Sequence, residues 1–136
     1  MWEQLRAEIK TALESVGSIK TVSAYPKASH DVYPAVEIHG SEHESDFGTF
    51  GPAYENMHTA AFIVRAVYLL TDETMEEAEA KLDKVLDDML TLFGQPNVLA
   101  SADWVEPTGG TWGYQDRGGG TARTAELRIR CKKLKA

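Results

Sequence analysis

Apolar residues recur at spacings of three and four over residues 2–16. Trp2, Leu5, Ile9, Leu13 and Val16 share one face, while Glu3, Arg6, Glu8, Lys10 and Glu14 fall mostly on the other. This pattern predicts an amphipathic helix that stops at Gly17, a residue able to take the left-handed conformation that closes a helix. A longer stripe of Met75, Ala78, Leu82, Val85, Leu86, Met89 and Phe93 predicts a second helix over 75–93. Thr74 followed by Glu77 reads as its capping box, and Gly94 with Pro96 as its end.

Between and after the helices the period drops to two. Residues 19–25 and 34–40 read as short strands linked through Tyr25-Pro26 and Tyr33-Pro34, each proline biasing its predecessor toward extended geometry. In the second of these strands Val36 and Ile38 share a face opposite Glu37 and His39. Residues 41–56 read as a long polar loop. Residues 57–70 are the strongest strand. Phe62, Val64, Ala66, Tyr68 and Leu70 line one side, and Ala61, Ile63, Val67 and Leu69 line the other, interrupted by Arg65. A strand apolar on both faces calls for cover on both sides, from helices on one and a partner chain on the other, or from two layers of its own fold. Residues 98–106 read as a strand with Val98, Ala100, Ala102 and Trp104 on one face, and the glycine-rich 107–121 as the tip of a long hairpin. The closing strand, 122–134, sets Ala125, Leu127, Ile129 and Cys131 inward and Thr124, Glu126, Arg128, Arg130 and Lys132 outward.

The order of elements predicts a single α+β domain over 1–136, a mostly antiparallel sheet of about five strands with two helices packed on one face. The 43% hydrophobic and 26% charged content is ordinary for a globular chain, which argues against disorder. A net charge of -7 makes general nucleic-acid binding a poor fit, because phosphate contacts need clustered Lys and Arg. Cys131 is the one cysteine, so neither an internal disulfide nor a cysteine zinc site is available. The N-terminus lacks the apolar run of a signal peptide. The longest apolar stretch, 60–70, contains Arg65 and is too short to span a bilayer as a helix.

Candidate chemistry is sparse. The segment from His39 to Asp46 offers imidazoles and carboxylates suited to a divalent ion, but a glycine breaks the spacing and an acidic solvated loop is the plainer reading. His30-Asp31 and His58 have no nucleophile tied to them in sequence, although Ser29 and Cys131 are present. Gly118-Gly119-Gly120-Thr121 is followed by a strand, whereas a phosphate cradle needs a helix N-terminus. The expectation is therefore a protein without catalytic residues, metal or cofactor.

Two features favour assembly instead. The first is charge asymmetry: the C-terminal strand is basic through Arg123, Arg128 and Arg130, while the second helix is acidic through Glu76, Glu79, Asp83 and Asp87. A basic strand on one subunit meeting an acidic helix on the next gives a head-to-tail contact that closes into a ring. The second is the aromatic content of two apparent loops, with Phe47, Phe50 and Tyr54 in one and Trp112 and Tyr114 in the other. Large rings are enriched where interfaces bury their anchors. The expected subunit contacts are thus Arg123, Arg128, Arg130, Glu76, Glu79, Asp83, Asp87, Phe47, Phe50, Trp112 and Tyr114.

Several segments together resemble a known family. They are the N-terminal amphipathic helix, the strand with Tyr33-Pro34-Ala35-Val36-Glu37-Ile38, the long strand from Thr59 to Tyr68, the acidic helix from Glu76 to Leu82, and the closing Arg123-to-Cys131 strand. This layout resembles the tail terminator, or tail completion, proteins of long-tailed bacteriophages over nearly the whole chain. The resemblance implies a structural virion protein without an active site, assembled in the host cytoplasm. It implies a homo-oligomeric ring, a hexamer, that caps the tail tube, stops its polymerisation and offers a surface for head–neck joining. The implied partners are other copies of the chain, the tail tube protein and a neck or head-completion protein. DNA would pass through without specific binding, and no membrane is involved. The alternatives are another head–tail connector of the same particle, or a small metal- or ligand-binding α+β domain.

Overall fold

The computed structural model describes residues 2–27, 30, 32–46, 56–70, 75–117 and 120–135. Two helices, α1 (Trp2–Glu14) and α2 (Met75–Phe93), accompany five strands: β1 (Thr21–Ser23), β2 (Ala35–Asp46), β3 (Asn56–Leu70), β4 (Trp104–Arg117) and β5 (Gly120–Lys135). The strands form one sheet in the order β1-β2-β3-β5-β4, parallel only between β1 and β2. This is the α+β arrangement with both helices on one face that the periodicity predicts.

The core lies between the helices and that face. α1 buries Leu5, Ile9 and Leu13, and α2 buries Ala78, Leu82, Val85, Met89 and Phe93. Against them stand Val36 and Ile38 of β2, Phe62, Val64 and Ala66 of β3, and Ala125, Leu127, Ile129 and Cys131 of β5. Trp2 meets Phe62 edge-on, with ring centroids 4.9 Å apart. Gly40 admits this close approach of α1: a Cβ there would sit 3.1 Å from the Arg6 guanidinium and 3.4 Å from the Trp2 ring. Arg6, which the helical wheel places among the polar residues, turns inward. Its Nη1 donates to the carbonyls of Ala24 and Ile38, and its guanidinium lies 4.5 Å from the Tyr25 ring.

The first helix and first strand are shorter than the sequence reading, ending at Glu14 and spanning Thr21–Ser23, and larger differences lie in β2 and β4. β2 runs on to Asp46 through residues expected to be loop, because β3 is long enough to pair them, and polar residues with one solvated face are tolerated in an antiparallel pair. β4 begins at Trp104 rather than at 98 and extends to Arg117 through the glycine-rich segment. Residues 94–103 are instead a turn in which Leu99 and Ala102 are buried and Ala100 is exposed. Glu8 holds that turn to α1: Oε1 accepts from the Ser101 amide at 2.8 Å, and Oε2 accepts from the Ser101 hydroxyl. Asn97 supplies a left-handed φ of 57°, which asparagine tolerates better than most residues. The expected capping residue, Thr74, lies outside the described residues.

β4 stays in the sheet through its glycines. A bulge between Pro107 and Gly109 places Gly109 at a φ of 131°, where a side chain is strained. Gly110 then passes so close to β5 that a Cβ would lie 1.9 Å from the Glu126 carbonyl oxygen.

Cys131 is fully buried, and burial pushes its thiol up to about 12, with the charge of Glu8 adding to the shift. Between the ordinary thiol range near 9 and that value, the unfolded chain loses this proton and the folded chain keeps it. Stability from this residue is therefore complete below pH 9 and falls as pH rises through that window. A thiol reagent at pH 8 should label Cys131 only at the rate of unfolding. Labelling as fast as a free thiol would contradict its burial.

Candidate interaction surface

Among the described residues, no helix packs on the second face of the sheet. At the β1–β2 end it is covered by the crossover between those two strands. Ser23 ends β1 and Ala35 begins β2, and a parallel pair needs a crossover connection between its strands. The crossover is held by Glu37, whose carboxylate is fully buried. Oε2 lies 2.7 Å from His30 Nε2 and accepts from the Lys27 amide at 3.3 Å, and Oε1 lies 3.3 Å from His39 Nε2. When ionised the carboxylate only accepts, and each imidazole then presents Nε2–H to it. The His30 side chain is itself fully buried, with Nδ1 lacking a hydrogen-bond partner, and its ring meets Tyr33 edge-on. The sequence ties His30 to no nucleophile and sets His39 at the start of a possible ligand segment; the fold gives both another place. They are the two clamps on a desolvated glutamate.

From Glu37 a polar row runs across the sheet in register: Glu37 opposite Arg65, Arg65 opposite Glu126, Glu126 opposite Thr111. Arg65 donates from Nε to Glu126 Oε1 at 2.6 Å, which explains how a cation interrupts an otherwise apolar strand. Around this row the face is small and apolar, with Ala61 and Val67 buried and Ile63 half-buried.

Beyond Glu126 the face opens into a groove of about 580 Å³, lined by Ala61, Ile63, Thr108, Gly109, Gly110, Thr111, Glu42, Glu126, Arg128 and Arg130. Gly109 and Gly110, at the bulge of β4, leave part of its lining without side chains. Arg128 is exposed, and among the described residues no carboxylate meets it.

α2 offers the complementary charge. Glu76, Asp83 and Asp87 are exposed and lie at spacings that keep them on one helical stripe, with Leu90 continuing it. Asp88, beside them, is held below the usual carboxylate range by hydrogen bonds from Ser18 and Lys84.

Two residues expected at a subunit contact meet inside one chain instead. Arg123 Nε donates to Glu79 Oε1 at 2.5 Å, and its guanidinium lies 5.1 Å from the Trp112 ring and 4.5 Å from that of Tyr114. Arg123 faces α2 because it shares parity with Ala125 and Ile129 on the helix side of β5, while Arg128 and Arg130 have the opposite parity. Trp112 and Tyr114 belong to β4 and not to a loop, and both stay exposed. Phe47 and Phe50 lie outside the described residues, as do Tyr54, Ser29, Asp31, Gly118 and Gly119.

The His39–Asp46 segment does not form one cluster. Gly40 pairs with Phe62 and Glu42 with Ala61, leaving Ser41 as an extra residue. That bulge reverses the parity of β2. His39 consequently points to the helix-free face beside Glu37, whereas His43 points to the helix side, where its ring lies 6.3 Å from Trp2 and stacks on His58. Among the described residues, no group of three or more His, Cys, Asp or Glu is arranged to hold a metal ion. None of the described helices is long and apolar enough to cross a membrane.

Comparison of the chain with protein-family models and with curated proteins gives no match.

Proposed function

We propose that this chain is a structural subunit that builds a ring with copies of itself, and that the ring is the terminator of a phage tail tube. It would end tube polymerisation and present a joining surface to a neck or head-completion protein. The observation that carries the reading is the helix-free sheet face, whose groove brings exposed Arg128, and Arg130 beside it, to a floor of small residues. The exposed acidic stripe of α2 lies on the opposite layer of the same molecule. Two complementary surfaces on opposite layers cannot satisfy each other within a subunit. They join one copy to the next head to tail, and such a contact closes into a ring when the rotation permits. A hexamer is the form that the resemblance to tail terminators implies. Arg123 and Glu79 neutralise each other inside the subunit, so the contact centres on Arg128, with Arg130 lining the same groove, and on Glu76, Asp83 and Asp87 of the next copy.

Reciprocal charge reversal tests this pairing. Arg128→Glu with Arg130→Glu, and separately Asp83→Lys with Asp87→Lys, should each leave the protein monomeric by light scattering, and an equimolar mixture should regain association through the restored pairs. Association unaffected by either double substitution would exclude this contact.

A further inference from the structure

His43 and His58 place two ring nitrogens at the separation of two ligands on one transition-metal ion. His43 lies on β2 and His58 on β3, where Ser45 is the register partner of His58 and Ala60 that of His43. The two histidines are therefore diagonal neighbours on one face of an antiparallel pair, within reach for long or aromatic side chains. His43 Nε2 and His58 Nδ1 stand 3.4 Å apart, with the ring centroids separated by 5.6 Å and the planes inclined by 22°.

That spacing is long for a hydrogen bond between nitrogens, whose usual donor–acceptor distance is about 2.9–3.0 Å. It suits a different occupant. Two nitrogens bound at about 2.0–2.1 Å to a tetrahedral zinc ion lie about 3.3–3.4 Å apart. The existing contact is a hydrogen bond between ring nitrogens, so one of them bears the proton that a metal would replace.

We propose that His43 and His58 form a two-imidazole site for a divalent transition ion of the zinc, nickel or copper class, with water completing the coordination. Imidazole nitrogen selects these ions over magnesium and calcium, which prefer oxygen ligands. His43 is exposed, so the ion has a path from solvent. The site owes its existence to the bulge at Ser41, since a regular β2 would send His43 to the opposite face beside His39. It is separate from the groove and from α2, and so is independent of the assembly reading. Ligation needs neutral imidazoles and displaces the shared proton, so binding releases protons.

Titrating zinc chloride and nickel chloride into the metal-free full-length protein by calorimetry at neutral pH tests this directly. One ion per chain should bind in the micromolar range. The binding heat should vanish in His43→Gln and in His58→Gln, and persist in His39→Gln, whose ring lies on the other face. Circular dichroism verifies the fold of each variant, and His43→Gln, altering an exposed side chain, decides the matter alone if His58→Gln is unfolded. Copper should also quench indole fluorescence, and Trp2→Phe should remove that quenching, because the Trp2 ring is 6.3 Å from His43. Equal binding by the wild type and His43→Gln, or none below millimolar metal, would overturn the proposal.

Discussion

Replacing Glu37 with alanine should destabilise the protein by about 3 kcal/mol in urea unfolding, because a buried donor left without its acceptor costs about 1–3 kcal/mol and three donors share this carboxylate. The cost has two sources. His30 is fully buried, and its Nε2 faces the carboxylate at 2.7 Å, so truncation strands a polar ring in a site that water does not reach. The amide of Lys27 and the ring of His39 lose the same acceptor. Glu37→Gln keeps the volume and one acceptor oxygen, so its loss should be clearly smaller than that of the alanine variant. Because the carboxylate fastens Lys27 and His30 of the crossover to the sheet, hydrogen exchange at these residues should accelerate first. A change under about 1 kcal/mol for the alanine variant would mean that Glu37 is hydrated and the crossover does not seal it, since exposed sites typically shift stability by no more than half that.

Phe62→Ala should cost a similar amount, about 3–5 kcal/mol, by a different route. Phe62 is fully buried at the centre of β3, edge-on to Trp2, with the Arg6 guanidinium 5.6 Å from its ring. Removing the ring takes away apolar burial and leaves a cavity between α1 and the sheet that neither rigid layer can close. Leu90→Ala, on the exposed stripe of α2, should leave the isolated subunit within about 0.5 kcal/mol of the wild type. Equal losses at the two positions would contradict the assignment of Phe62 to the core and Leu90 to the surface.

The two helices and the alternation of β5 were legible because each buries one face against a single core, and burial of one face imposes a period. α2 runs from Met75 to Phe93, the range its stripe predicts, and the inward set of Ala125, Leu127, Ile129 and Cys131 is buried. The strand ends were less legible. β2 beyond Gly40 and β4 beyond Pro107 pair through polar and glycine-rich residues, whose local preference is for loops, and long neighbouring strands override that preference. The polar cluster on the helix-free face was hidden for another reason. Glu37, Arg65 and Glu126 come from three separate strands that only the sheet register aligns, and His30 reaches Glu37 from the crossover. The bulge at Ser41 is likewise silent in sequence, yet it separates His39 from His43 and pairs the latter with His58. The charge asymmetry was visible throughout, but strand parity decides which arginines turn toward α2 and which turn away. Arg123 is spent inside the subunit, and Arg128 is not.

The most direct measurement is the mass of the purified wild-type protein in solution, by native mass spectrometry with electron microscopy of the same sample. A ring-forming subunit predicts a closed species of several copies, six by the resemblance to tail terminators, visible as an annulus with a central opening. A strictly monomeric protein at the highest attainable concentration, with no annular particles in the micrographs, would contradict it.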